Sequence, residues 1–155
     1  MQKSFKETFL IVPMKAYLTW GIGYGKSREL AQINAQFDAS LDRIKVAKLE
    51  KLEIPAGKII EDKKELAKLK GNFKGIVLQN CAKSDVYSCL AFGITEDKIF
   101  VGKGKAAGNK AEKQAMFEAT KAAGDKLEST RQIMAFAPYR KDQYGCAIVA
   151  LVLVK

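Results

Sequence analysis

The chain has 155 residues, 48% of them hydrophobic and 28% charged, the balance of a globular protein that buries a core rather than of a disordered tail. It contains no histidine and carries a formal net charge of +10, which excludes Ser-His and Cys-His catalysis and favours an acidic partner such as RNA, DNA or an acidic protein. Its longest apolar runs, 9–14 and 146–154, fall far short of the ~20 residues that span a bilayer, and the start of the chain has no signal-peptide pattern, so a cytoplasmic protein without a membrane span is predicted.

Residues 5–12 alternate polar and apolar side chains, Pro13 interrupts, and 14–20 resume with Tyr17, Thr19 and Trp20, which predicts strand, break and strand. The glycines of 21–25 predict a flexible loop. Leu30, Ile33, Phe37, Leu41 and Ile44 then recur at steps of three and four, the spacing of one amphipathic helix over 27–43 with that stripe toward the core. Residues 45–53 predict a strand ended by the turn Ile54-Pro55-Ala56-Gly57. A short surface helix follows over 61–70, resting on Leu66 and Leu69 and stopped by Gly71-Asn72.

Segments 73–82, 86–95 and 98–101 are apolar-rich and separated by Lys83-Ser84-Asp85 and Glu96-Asp97, which predicts an antiparallel meander. Beyond the glycine-lysine stretch 102–108, Ala115, Met116, Ala119, Ala123 and Leu127 mark a second helix, its alanines predicting close packing on a sheet. Residues 129–137 predict another strand. Residues 145–154 are apolar without alternation, as in a central strand covered on both faces. No internal repeat is evident. Two helices able to cover sheets, with strands joined mainly by hairpins, predict an α+β layered sandwich in one domain spanning 1–155. Cys81, Cys89 and Cys146 lack the C-x-x-C spacing of zinc or redox sites and are expected as buried thiols.

Lys98, Lys103, Lys105, Lys110 and Lys113 crowd a glycine-containing segment before a helix start, the strongest nucleic-acid or anion-binding candidate; its ordinary reading is a solvated loop and helix face. Tyr139, Arg140, Lys141 and Tyr144 form a smaller basic and aromatic cluster beside Pro138, where a hairpin turn is the ordinary reading. Residues 21–27, Gly-Ile-Gly-Tyr-Gly-Lys-Ser, resemble a phosphate loop but are one residue too short for one. No suitable strand ending in a magnesium-binding aspartate follows, so a strand-to-helix connection is expected.

Three features in order, the glycine-rich stretch feeding a helix with Phe37-Asp38-Ala39-Ser40-Leu41, a strand ending in Ile54-Pro55, and the last strand with Tyr144-Gly145-Cys146-Ala147, resemble the pyruvoyl-dependent arginine decarboxylases across nearly the whole chain. The resemblance implies an αββα sandwich with mostly antiparallel sheets, a homotrimer with sites between subunits, and conversion of arginine to agmatine and carbon dioxide. It also implies a pyruvoyl cofactor made when an internal serine hydroxyl attacks the preceding carbonyl and the chain breaks. Here the matching segment reads Lys48-Leu49-Glu50-Lys51-Leu52-Glu53, without serine. The nearest, Ser40, falls inside the expected helix, where regular hydrogen bonding opposes an acyl shift.

The stretch matching the family's proton-donor glutamate reads Ile99-Phe100-Val101-Gly102-Lys103, with Glu96 in an expected turn nearby. Asp38 matches the aspartate that binds the substrate guanidinium, and is equally readable as a structural helix carboxylate. The expectation is a non-cleaving, catalytically inactive relative with no cofactor: a basic binding or regulatory protein that contacts RNA, DNA or an acidic protein and forms a homotrimer or pairs with an active relative. The alternative is an arginine decarboxylase whose pyruvoyl-forming serine lies elsewhere.

Overall fold

A computed structural model describes residues 8–10, 15–104 and 110–154. Two five-stranded sheets lie face to face with helices outside both, the αββα sandwich of an α+β fold. The first sheet has the order β3 (Ile44–Lys48), β6 (Gly71–Ala82), β10 (Tyr144–Val154), β2 (Lys15–Gly25), β5 (Ile59–Ile60). The second runs β1 (Thr8–Leu10), β4 (Lys51–Pro55), β8 (Lys98–Gly104), β7 (Val86–Ile94), β9 (Ser129–Ala137). Helices α1 (Arg28–Asp38) and α2 (Lys63–Ala67) cover the first sheet, and α3 (Lys110–Ala123) the second. Pairing is antiparallel except for β1 with β4, β2 with β5 and β3 with β6. Among the described residues no helix is long and apolar enough to cross a membrane.

The last strand is the central one, as its unbroken apolar run requires. Ala147, Val149, Leu151 and Leu153 point into the core between the sheets, with Leu18, Ile76, Leu90 and Phe92. Cys146, Ile148, Ala150 and Val152 face the helix layer with Ala31, Ala35 and Ala39. Burying one such aliphatic side chain contributes about 1.5–3 kcal/mol. One polar bridge crosses between the sheets: the Ser88 hydroxyl donates to the Ala147 carbonyl (2.8 Å), while the Asn80 amide donates to Ser88 Oγ and to the Tyr87 carbonyl.

Several expectations change. Residues 21–25 are not a loop but the end of β2, paired with β10 to its last residue. Positions 21, 23 and 25 are glycine because α1 lies directly on them: a Cβ on Gly21 would stand 2.7 Å from the Ala39 nitrogen, and one on Gly25 2.8 Å from that of Ala31. So close an approach admits only alanine from the helix. Ala31, Ala35 and Ala39 face the sheet, while Leu30, Ile33 and Phe37 turn outward at 46%, 59% and 70% exposure. The larger apolar stripe is therefore the outer one.

Helix α1 stops at Asp38 rather than 43, because Ser40 takes a left-handed φ of 61° and the Leu41 and Ser40 amides bond back to Gln36 and Phe37 carbonyls, a Schellman ending. Ser40 is thus outside the helix. The strand expected over 45–53 is two, β3 and β4, which belong to opposite sheets, with Leu49 and Glu50 carrying the crossing. Strand β4 runs through Ile54 to Pro55, tolerated at a strand end where the missing N–H is not needed. The meander is only partly realised, since β7 pairs with β8 while β6 lies in the other sheet. Cys81 and Cys146 are not thiols: directly opposite on β6 and β10, with Cα atoms 4.1 Å apart, they form a disulfide. Cys89 is the buried thiol expected. Of the strand expected over 5–12, only residues 8–10 lie within the described residues.

A repeat invisible in the linear reading also emerges. Residues 31–40, Ala-Gln-Ile-Asn-Ala-Gln-Phe-Asp-Ala-Ser, match 111–120, Ala-Glu-Lys-Gln-Ala-Met-Phe-Glu-Ala-Thr, in every alanine, the phenylalanine and the carboxylate. Both helices lie by their alanines on a Gly-x-Gly strand, α1 on Gly21 and Gly23 of β2, and α3 on Gly102 and Gly104 of β8. Each sheet is built around one copy of the same strand-helix unit.

Candidate functional site

Crossing between the sheets puts segment 48–53 against two surface depressions. A groove of about 620 Å³ runs between β4, β8 and α3, lined by Lys51, Glu53, Phe100, Phe117, Glu118 and Lys121 among others. A smaller one of about 260 Å³ lies on the other side of the crossing, at Lys48, Leu49, Glu50, Gln79 and Lys103. Among the residues whose side chains are described, neither lining contains serine, cysteine or threonine, so none of these supplies a hydroxyl or thiol that could attack a backbone carbonyl there. Ser40 sits in an open turn, but on the far side of β3 in sequence, and its amide is tied into the helix ending. Glu96 is exposed in the β7–β8 turn, outside both linings.

Asp38 has a structural assignment. Strand β5 pairs with β2 only at Ala16 and Tyr17, so among the described residues the rest of that edge of β2 has no neighbouring strand. The Asp38 carboxylate closes one of its gaps, accepting the Ile22 N–H at 2.9 Å. The second half of the molecule does the same: β4 pairs with β8 only at Lys98–Phe100, and the Glu118 carboxylate accepts the Lys103 N–H, again at 2.9 Å. Both amides lie between two glycines, Ile22 between Gly21 and Gly23 and Lys103 between Gly102 and Gly104. Identical use of a carboxylate in two halves argues for sheet-edge satisfaction. Glu118 went unnoticed in the linear reading, although the repeated Phe-Asp/Glu-Ala pattern carries the signal.

The lysine group does not assemble. Lys98 and Lys103 stand five residues apart on β8, roughly 17 Å at strand spacing. Lys98 pairs with Glu53 at 3.4 Å, and Lys103, only 13% exposed at its side chain, with Glu50 at 3.6 Å. Lys110 and Lys113 are exposed at the start of α3, and Lys105 lies outside the described residues. Two of the five are thus committed to carboxylates.

The smaller basic and aromatic cluster is the one the fold enlarges. Register pairs Tyr144 with Gly25 and Gly145 with both Tyr24 and Ala82, gathering residues from four parts of the chain at one end of the sandwich. The Arg140 guanidinium stacks on the Tyr24 ring at 3.8 Å, and the Tyr24 hydroxyl donates to the Pro138 carbonyl at 2.6 Å. The Tyr144 ring carries Arg28 at 5.3 Å and Lys83 at 5.0 Å. Arg28 is held by one of its donors on the Cys81 carbonyl, 2.9 Å away. The Tyr139 amide donates to Asp85, which fixes the Pro138 turn. Tyr139, Arg140, Lys141 and Tyr144 are neighbours along the chain, with Lys141 exposed in the turn, whereas Tyr24, Arg28 and Lys83 are brought in only by strand pairing.

Among the described residues no group of three or more histidine, cysteine, aspartate or glutamate side chains is placed to hold a metal ion. The sequence matches no protein-family model and no curated protein.

Proposed function

We propose that this chain is a non-cleaving, catalytically inactive relative of the pyruvoyl-dependent arginine decarboxylases that works as a basic binding or regulatory protein. The observation that carries this reading is the segment 48–53: it lies against two grooves, yet supplies no serine, and among the described residues neither groove lining offers one in its place. The residue that matches the family's substrate-binding aspartate is supported in a different role, since the Asp38 carboxylate is occupied by the Ile22 N–H and its counterpart Glu118 repeats the arrangement. A net charge of +10 favours RNA, DNA or an acidic protein as the partner.

Self-association, as a homotrimer or by pairing with an active relative, is supported by the apolar side chains Leu30, Ile33 and Phe37 of α1 and Phe117 of α3, which are left exposed. The Cys81–Cys146 disulfide weighs against the cytoplasmic location expected from the sequence, because such bonds are rare in a reducing compartment.

Intact mass under denaturing, reducing conditions tests the reading. One species of 17.1 kDa, together with no carbon dioxide released from labelled arginine, is the expected result. Two fragments, or a carbonyl that traps a hydrazine, would end it and locate a self-cleavage site.

A further inference from the structure

We infer that the groove between β4, β8 and α3 binds a small amphipathic monoanion, an apolar body with one carboxylate head, the body between Phe100 and Phe117 and the head between Lys51 and Lys121. This ligand site is additional to the proposed function and independent of it.

The groove exists because two strands part. Strand β4 pairs with β8 only over Glu53–Pro55, while its residues from Lys51 pair with β1, so a channel opens on the outer face of the sheet between β4 and α3. Ile99 and Val101 face the core between the sheets, which turns Phe100 outward into the channel. Phe117 of α3, 66% exposed, lines the same groove. Its volume of about 620 Å³ lies within the range of roughly 300–1,000 Å³ that holds drug-sized ligands.

The first half of the molecule fills the equivalent place with its own chain. Gly21 and Gly23 correspond to Gly102 and Gly104, and Ala39 to Ala119, which makes Thr19 and Leu41 the counterparts of Phe100 and Lys121. Thr19 and Leu41 are buried. Helix α2 lies there: Leu66 is buried in the cluster of Leu41, and the Lys63 ammonium donates to the Asp38 carbonyl at 3.3 Å. Among the described residues no helix takes that position in the second half, where a partly exposed phenylalanine and an exposed lysine stand instead. A ring at the floor and a cation at the rim suit a ligand with an apolar body and an acidic head.

Charge selects the sign. Glu53 is paired with Lys98 at 3.4 Å, and Glu118 accepts the Lys103 N–H at 2.9 Å. Lys51 and Lys121 stand on opposite walls and have no carboxylate partner among the described residues. Counting Lys98, three lysines face two glutamates, an excess of one positive charge. A single carboxylate gains charge-assisted hydrogen bonds from the two uncommitted ammonium groups. A polyanion would press further charges against Glu53 and Glu118, and a cation would meet the two lysines.

The test is calorimetric titration of the full chain, disulfide intact, with 2-naphthoate. One molecule binds per chain. The neutral 2-naphthamide, of the same shape, binds at least about tenfold more weakly, and 2-naphthylmethylamine more weakly still. The Lys51→Gln, Lys121→Gln pair, both exposed positions, keeps the thermal midpoint, weakens the acid at least about tenfold and leaves the amide unchanged. Phe117→Ser weakens acid and amide alike, by about fivefold or more.

The inference is overturned if 2-naphthoate does not bind, if the amide or the amine binds as tightly as the acid, or if the folded lysine variant binds the acid like the wild type. The ligand series needs only the wild type, so it decides even if the variants do not fold. Loss of an oligomer in Phe117→Ser by light scattering, with no uptake of 2-naphthoate by the wild type, would make the groove a contact between copies and overturn the inference. Absence of 2-naphthoate binding leaves the proposed function standing, and fragmentation in the mass measurement overturns the proposed function irrespective of these titrations.

Discussion

Two side chains of the same kind do the same work in opposite halves of the sandwich. Asp38 and Glu118 each accept a strand-edge N–H that no neighbouring strand among the described residues reaches. A charge-assisted hydrogen bond of this type contributes about 1–2 kcal/mol net when partly exposed. We expect Asp38→Ala and Glu118→Ala to lower stability by similar amounts of about that size in urea melts; a large loss for one and none for the other would break the equivalence. Cys89 offers a second check at this scale. Its thiol is pushed up to about 11 by burial and, secondarily, by the negative charge of Glu112. Because the folded value lies above the ordinary 9.0, the contribution of the neutral thiol is fully present below about pH 9 and lost as pH rises toward 11. Relative to Cys89→Ala, the wild type should therefore lose stability across that window, and Cys89 should resist thiol reagents at pH 8 until the protein unfolds.

Between residue and fold, the glycine strands and alanine helices form a matched pair. A Cβ on Gly23 or Gly104 would fall inside van der Waals contact of α1 or α3 backbone atoms, which cannot move without lifting the whole helix. Substituting alanine at either glycine should cost about 3 kcal/mol or more, read as a fall in denaturation midpoint. Phe37→Ser, by contrast, should stay within about 0.5 kcal/mol, since the ring is 70% exposed; a loss of the size expected for a core phenylalanine would put the outer stripe back inside. Periodicity misassigned that stripe for a physical reason. Hydrophobic size locates a helix face against a flat, side-chain-covered sheet, but here the sheet surface is bare glycine and the fitting partner is the smaller alanine at the same spacing. The helix itself was legible, with Ser27 accepting the Leu30 N–H at its start, as were α2 with its buried Leu66, β9 and β10.

For the whole molecule, the disulfide is the longest-range covalent constraint. It closes a sequence separation of 65 residues, and reduction should destabilise the fold by about 2–4 kcal/mol on the chain-entropy view, visible as a lower melting temperature in the presence of a thiol reductant. The candidate site divides in the same way as the fold. That segment 48–53 lacks a serine, that Asp38 lies on a helix and that Tyr139, Arg140, Lys141 and Tyr144 cluster near Pro138 were all readable, because they are local in the chain; that the helix ends at Asp38 and not at 43 was not. That 48–53 crosses between sheets, that Glu118 mirrors Asp38, that Lys98 and Lys103 are paired to carboxylates, and that Tyr24, Arg28 and Lys83 join Arg140 and Tyr144 depend on contacts between residues far apart in sequence. Composition and periodicity by themselves determined an α+β chain with a central apolar last strand, two sheet-covering helices and no catalytic histidine. Which strands share a sheet, which helix face is buried, which cysteines meet and which cations share a ring were decided only by tertiary structure, because strand register and the closeness of helix to sheet are set by packing across the whole core and not by any local run of residues.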